Sequence, residues 1–116
     1  MNLTDNPLLG TIVESAPIGI CILNAEDFVV EMLNDKFVEI AGKPKDTILG
    51  KWYWEPFAEA KDYYEEALFS VVLSKKSFHA NEVPLTLIRF GKNELIYVTF
   101  VYAPVVDENG KVTKVA

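Results

Sequence analysis

The chain has 116 residues, half of them hydrophobic and 12% aromatic, which suits one domain with enough apolar side chains for a packed core. Seventeen acidic residues against eleven basic ones give a net charge of −6, so no electrostatic footprint for nucleic acid or an anionic lipid surface exists. Cys21 is the only cysteine, which excludes an internal disulfide and a multi-cysteine metal site.

No signal-peptide pattern and no apolar run of about 18 residues occurs. A cytoplasmic location without direct membrane contact is therefore expected, and a lone cysteine agrees with a reducing compartment. Asn6 and Pro7 can open a helix as cap and first-turn residue. Leu8, Leu9, Ile12, Val13 and Ala16 then fall on one face, and Pro17 ends the segment. Residues 1–16 are thus an amphipathic helix that packs on its own domain or pairs with a second subunit, and residues 17–116 are the domain proper.

Residues 18–23 form a short apolar β-type run, 24–27 a turn and 28–33 a second strand, which together predict a hairpin. Cys21 reads as a small packed hydrophobe, because no cationic neighbour in sequence would activate its thiol. Asn34 is a good helix N-cap, worth about 1 kcal/mol. Phe37, Ile40 and Ala41 follow at helical spacing and are expected to face inward. Gly42 suits the left-handed C-cap and Pro44 stops the helix. A second short helix over 45–49 ends at Gly50.

Residues 51–57 hold both tryptophans, Trp52 and Trp54, with Tyr53 and Phe57. They fill a core under a loop or form an aromatic wall of a ligand cavity. Residues 59–76 read as the longest helix, with Tyr64, Ala67, Leu68, Val71 and Val72 on the apolar face. The run 78–90 is rich in β-formers, and Pro84 within it demands an edge or bulge position. Residues 91–93 are a turn. Residues 94–106 are the strongest strand, apolar on both faces, so each face needs a cover: helices on one, the N-terminal helix or another subunit on the other. After a turn at 107–110, residues 111–115 begin a last strand that stops in mid-pattern, as in a piece cut from a longer protein. Helices and strands are segregated rather than alternating, which predicts an α+β fold with an antiparallel sheet.

These residues carry a family resemblance. Ala16-Pro17-Ile18-Gly19-Ile20 looks like the opening strand of a PAS domain, and Asn24-Ala25-Glu26-Asp27 like its hairpin turn. Leu33-Asn34-Asp35-Lys36-Phe37 resembles the family's Asn-x-x-Phe helix start. Gly42 and Leu49-Gly50 match the glycines closing its two short helices, and residues 103–110 resemble its Pro-(x)-Asp-x-x-Gly turn. Each motif is weak alone; their order and spacing are specific. The resemblance implies a five-stranded antiparallel sheet in the order 2-1-5-4-3, short helices and one longer helix over one face, and a sensory module. Such a module regulates an attached output domain, often a histidine kinase of a two-component system.

Flavin-binding members carry a reactive cysteine motif after the glycine that Gly50 matches. Here Lys51-Trp52-Tyr53-Trp54 follows, and Cys21 lies in another element, which argues against flavin. Haem-binding members use a histidine on the long helix. The only histidine here, His79, lies beyond it in a strand, which argues against haem and against a metal site. No cofactor is predicted. An unidentified small molecule is left as the candidate ligand, in an apolar pocket lined by Ile20, Ile22, Phe37, Trp52, Trp54, Tyr64, Leu68, Leu87 and Thr99. The alternative is a filled core and a ligand-free docking or dimerisation scaffold. One histidine and one strand-borne cysteine leave little from which to assemble catalysis, so no enzyme is expected in this domain. The expected partners are a second copy, through the N-terminal helix and outer sheet face, and the output domain.

Overall fold

The computed structural model describes residues 7–116. Helix α1, Pro7–Ser15, leads into strand β1, Cys21–Asn24, which pairs antiparallel with β2, Val30–Leu33. The predicted Asn6 cap lies outside the described residues. β1 begins three residues later than expected because the backbone around it is otherwise engaged. The Asn34 side chain accepts from Ile20 N at 3.0 Å, and its amide donates to Ile18 O at 2.8 Å. The turn at 24–27 forms as predicted: Asn24 Oδ1 accepts from Glu26 N and Asp27 Oδ1 from Val29 N. Phe28 leaves it at a positive φ of 58°.

Helix α2, Asp35–Ala41, starts on the Asn34 cap and ends on Gly42 at φ 64°. A 3-10 turn, Lys45–Thr47, replaces the second short helix. The loop that follows docks on the free edge of β2: Val30 N donates to Lys51 O, Gly50 N to Val30 O and Tyr53 N to Phe28 O. This edge pairing delivers Trp54 to the interior and leaves Trp52 at the surface. Helix α3, Ala58–Ser74, ends two residues earlier than expected, on Lys75 in the left-handed region. Its buried face is Ala60, Leu68 and Val71, with Tyr64, Ala67 and Val72 partly buried against the core, as the helical spacing predicts.

Strands β3, Phe78–Arg89, and β4, Lys92–Tyr102, form a long ribbon. Its turn is Phe90-Gly91, not 91–93. Both residues have positive φ, 52° and 78°, the two-residue geometry whose twist matches a hairpin. A bulge between Ala80 and Val83 places Asn81 and Glu82 opposite Thr99, and Pro84 lies just beyond it on an edge strand. The chain leaves the β3 ladder after Tyr102 and continues as β5, Pro104–Val106, which pairs with β6, Val112–Val115. Ala103 exchanges both backbone bonds with Ala116.

The expected single sheet in the order 2-1-5-4-3 is therefore found as two pieces. One is four-stranded, β2-β1-β6-β5; the other is the β3-β4 ribbon. The predicted fourth strand is split into β4 and β5 at Ala103, where Pro104 cannot donate to a ladder. The inner core joins Leu23, Val30, Leu33, Leu87, Tyr102 and Val115 of the strands to Leu68 and Val71 of α3. Ile48, Trp54 and Phe57 from the connecting segment complete it. Each fully buried large apolar side chain contributes about 1.5–3 kcal/mol.

Candidate functional site: the interior and the outer sheet face

Strand alternation decides which predicted pocket residues meet. Phe37, Trp54, Tyr64, Leu68 and Leu87 belong to the inner cluster or pack against it. Leu68 is fully buried, and Trp54 is 2% exposed with its ring 4.7 Å from that of Tyr53. Phe37 stacks edge-on against Phe57 at 5.8 Å, and Tyr64 against Phe100 at 5.0 Å.

The other four stand elsewhere. Ile22 is buried but on the opposite face, since its neighbours Cys21 and Leu23 point into the inner cluster. Val13 of α1, likewise buried outside that cluster, is available to cover it. Ile20 is half-buried outside the cluster, with its backbone held by Asn34. Trp52 is 45% exposed, with Lys61 Nζ 5.7 Å from its ring centre. Thr99 faces outward between Val98 and Phe100. Its hydroxyl serves the bulge, accepting from Glu82 N at 3.0 Å and lying 3.2 Å from Asn81 Oδ1. Ile40, expected inward, is exposed; Ala41 takes the buried position on α2.

Tyr53, Tyr102 and Cys21, absent from the predicted lining, add polar atoms to the interior. Tyr53 and Tyr102 face each other there. Burial is the main cause pushing both phenols upward, Tyr102 to about 12, and Cys21 adds to each shift. Burial alone pushes the Cys21 thiol to about 12, so it is a packed neutral group rather than a nucleophile. Trp54 Nε1 is buried with no hydrogen-bond partner among the described residues. The alternation that makes Phe100 an inward residue also makes Tyr102 one, so the sequence groups the two without saying on which face they lie.

Two clamps hold the interior shut at the ribbon tip. Arg89 Nε donates to Ile40 O at 2.8 Å and Nη1 to Glu94 at 2.6 Å, fixing the end of α2 to β3. Lys43 pairs with Glu59 at 2.9 Å, and the two engage the free edge of β3 at Ile88: Lys43 Nζ donates to Ile88 O, and Glu59 Oε1 accepts from Ile88 N. Burial alone would raise the Glu59 carboxyl. The Lys43 and backbone hydrogen bonds, with the Lys43 charge, outweigh burial and hold it below its ordinary 4.5. This stabilisation is complete above pH 4.5 and is lost as pH falls through the lower folded value. In thermal melts, the advantage of wild type over Glu59→Gln is expected at pH 7 and should shrink across that acid limb. A constant gap would contradict this role for the carboxylate.

The outer face of the ribbon is the second notable surface. Leu95, Tyr97 and Val101 of β4 are 62, 70 and 44% exposed, and Ile88 of β3 is 45% exposed. In register beside them lie Thr86, Pro84 and His79. Thr99 completes the stripe, opposite the exposed bulge residues Asn81 and Glu82. Among the described residues, no helix is long and apolar enough to cross a membrane, and no group of three or more His, Cys, Asp or Glu is placed to hold a metal.

The chain superimposes on an RNA-binding light-oxygen-voltage receptor with a TM-score of 0.72 at 20% identity, over 93% of this chain and 30% of that one. It thus spans under a third of that receptor's length. It matches a sensory box sensor histidine kinase from Vibrio cholerae with a TM-score of 0.65 at 20% identity, over 93% of this chain and 83% of the other. The PAS domain of the fruit-fly ELK potassium channel gives 0.73 at 16% identity, over 99% and 93%. No curated relative matches the sequence. A family model described as PAS domain matches residues 17–116. With that match over most of its length and this α+β architecture, the chain belongs to the PAS domain family.

Proposed function

We propose that this PAS domain regulates an attached output domain as a homodimer whose two copies meet through the outer face of the β3-β4 ribbon and α1. The observation that carries the reading is the exposed apolar stripe of Ile88, Leu95, Tyr97 and Val101, in which the one acidic neighbour in register is Glu82 of the bulge. Two copies of charge −6 repel each other over most of their surface, so a face poor in charge is where they can approach. The 11 residues of β4 span about 36 Å, and a two-stranded ribbon about 10 Å in width gives a footprint of about 400 Å². A standard interface buries about 800 Å² per partner, so a second element must contribute. Ile12 of α1, 54% exposed, and Ile18, 64% exposed, supply further apolar area. The likeness to a sensor histidine kinase supports a kinase as the output.

Light scattering tests the association. Wild type is expected to be dimeric at about 100 µM, a concentration that populates interfaces of this class, and Tyr97→Glu monomeric with an unchanged circular dichroism spectrum. A monomeric wild type would overturn the reading.

A small molecule held between sheet and helices is the second reading, and Trp54 favours it. A buried indole N–H normally finds an acceptor, and Nε1 has none among the described residues. A ligand carrying a carbonyl or hydroxyl oxygen would satisfy it, and would register as an added mass in native mass spectra.

A further inference from the structure

Asn34 is 3% exposed and makes four side-chain hydrogen bonds to three separate segments. Oδ1 accepts from Phe37 N at 2.9 Å, which caps α2, and from Ile20 N at 3.0 Å, at the entry to β1. Nδ2 donates to Val13 O at 2.9 Å, in the last turns of α1, and to Ile18 O at 2.8 Å. The carboxamide is therefore saturated, with its acceptor half on the domain and its donor half on α1 and the connecting segment.

We propose that Asn34 is a latch that couples the docking of α1 to the start of α2. If α1 leaves, Nδ2 keeps Ile18 O but loses Val13 O, one of the bonds that fix the carboxamide plane, and the side chain is freer to turn away from Phe37 N. If α2 frays or shifts, the same rotation withdraws the donor from Val13 O. Phe37 packs its ring on Phe57 in the core. A rearrangement of the interior thus reaches the N-terminal helix through one side chain, and by linkage the helix acts back on the interior with equal strength. Use of the latch in signalling rests on the proposed regulatory function. Its existence does not, because the coupling lies within one chain.

The two halves can be separated chemically. Asn34→Asp keeps both acceptor bonds and, at pH 8, replaces the donor with a carboxylate facing two carbonyl oxygens. Native-state hydrogen exchange, resolved by residue on the full chain, reads the outcome. Protection of the amides of Val13, Glu14 and Ser15 is expected to fall about tenfold, the scale of one lost hydrogen bond, while Phe37 and the α3 amides of Leu68 and Val71 hold their protection. Val13→Asp gives the reciprocal arm: a charge at a site 2% exposed undocks α1, and protection at Phe37 N and Ile20 N should fall while α3 is unchanged. Unaltered α1 protection in Asn34→Asp, or unaltered Phe37 and Ile20 protection in Val13→Asp, would overturn the latch. So would a uniform loss that includes α3, which would make Asn34 a general support of the fold.

Discussion

Asn34→Ala is expected to lower the unfolding free energy by about 3–4 kcal/mol, well beyond the ~1 kcal/mol of a lost helix cap. The cap is one of four bonds. Its removal also strips Ile20 N, Ile18 O and Val13 O of a partner at a site where the side chain is 3% exposed. Each such group costs about 1 kcal/mol or more when water cannot replace the partner, and the deleted carboxamide leaves too little room for ordered water to serve all three. Urea unfolding monitored by tryptophan fluorescence measures the loss. A value near 1 kcal/mol would mean that only the cap matters and that the bonds to α1 and to the segment before β1 contribute nothing.

Gly42→Ala is expected to cost about 2–4 kcal/mol, from two causes acting together. Gly42 has a φ of 64°, which L side chains adopt at a penalty. An added Cβ would also lie 2.7 Å from Arg89 Cβ and 3.1 Å from Arg89 Cα. Arg89 cannot retreat cheaply, because its guanidinium is held by Ile40 O and Glu94, and Phe90 N bonds to Gly42 O at 2.7 Å. Gly50 supplies the control. It has a similar φ of 77° with nothing within 4 Å of an added Cβ, so Gly50→Ala should lose only the conformational part, about 1 kcal/mol. Equal losses at the two positions would show that the approach of β3 to α2 is loose.

Both predictions concern positions that the sequence marked for the right reason and undervalued. Asn34 and Gly42 were legible as cap residues, since capping is decided within a few residues of chain. Their long-range partners, Val13 and Arg89, were not, because nothing local encodes which segment crosses a helix end. The order of elements and the apolar face of α3 were likewise legible, since a 3.6-residue period fixes one buried side. The site was legible only in part. In 94–106, where hydrophobic residues occupy both faces, alternation separates two sets without saying which faces the helices. Thr99 was placed inward on that strand and Ile22 on β1, and both belong to the other face. Trp52 and Trp54 looked equivalent. The pairing of residues 50–53 with the edge of β2 separates them, and edge pairing leaves no local pattern.

The proposed association of two copies through the ribbon is tested most directly by site-directed cross-linking. Cys21 is held with a thiol pKa of about 12 by burial, so it leaves an introduced surface cysteine as the reactive thiol near neutral pH. Leu95→Cys lies on the outer face of β4, 62% exposed, and Leu73→Cys is 82% exposed on α3. With a short bis-maleimide reagent at pH 7, Leu95→Cys is expected to give a covalent dimer in high yield and Leu73→Cys to stay monomeric. Equal yields at the two positions, or a dimer only through Leu73→Cys, would contradict the assignment of the ribbon face as the meeting surface.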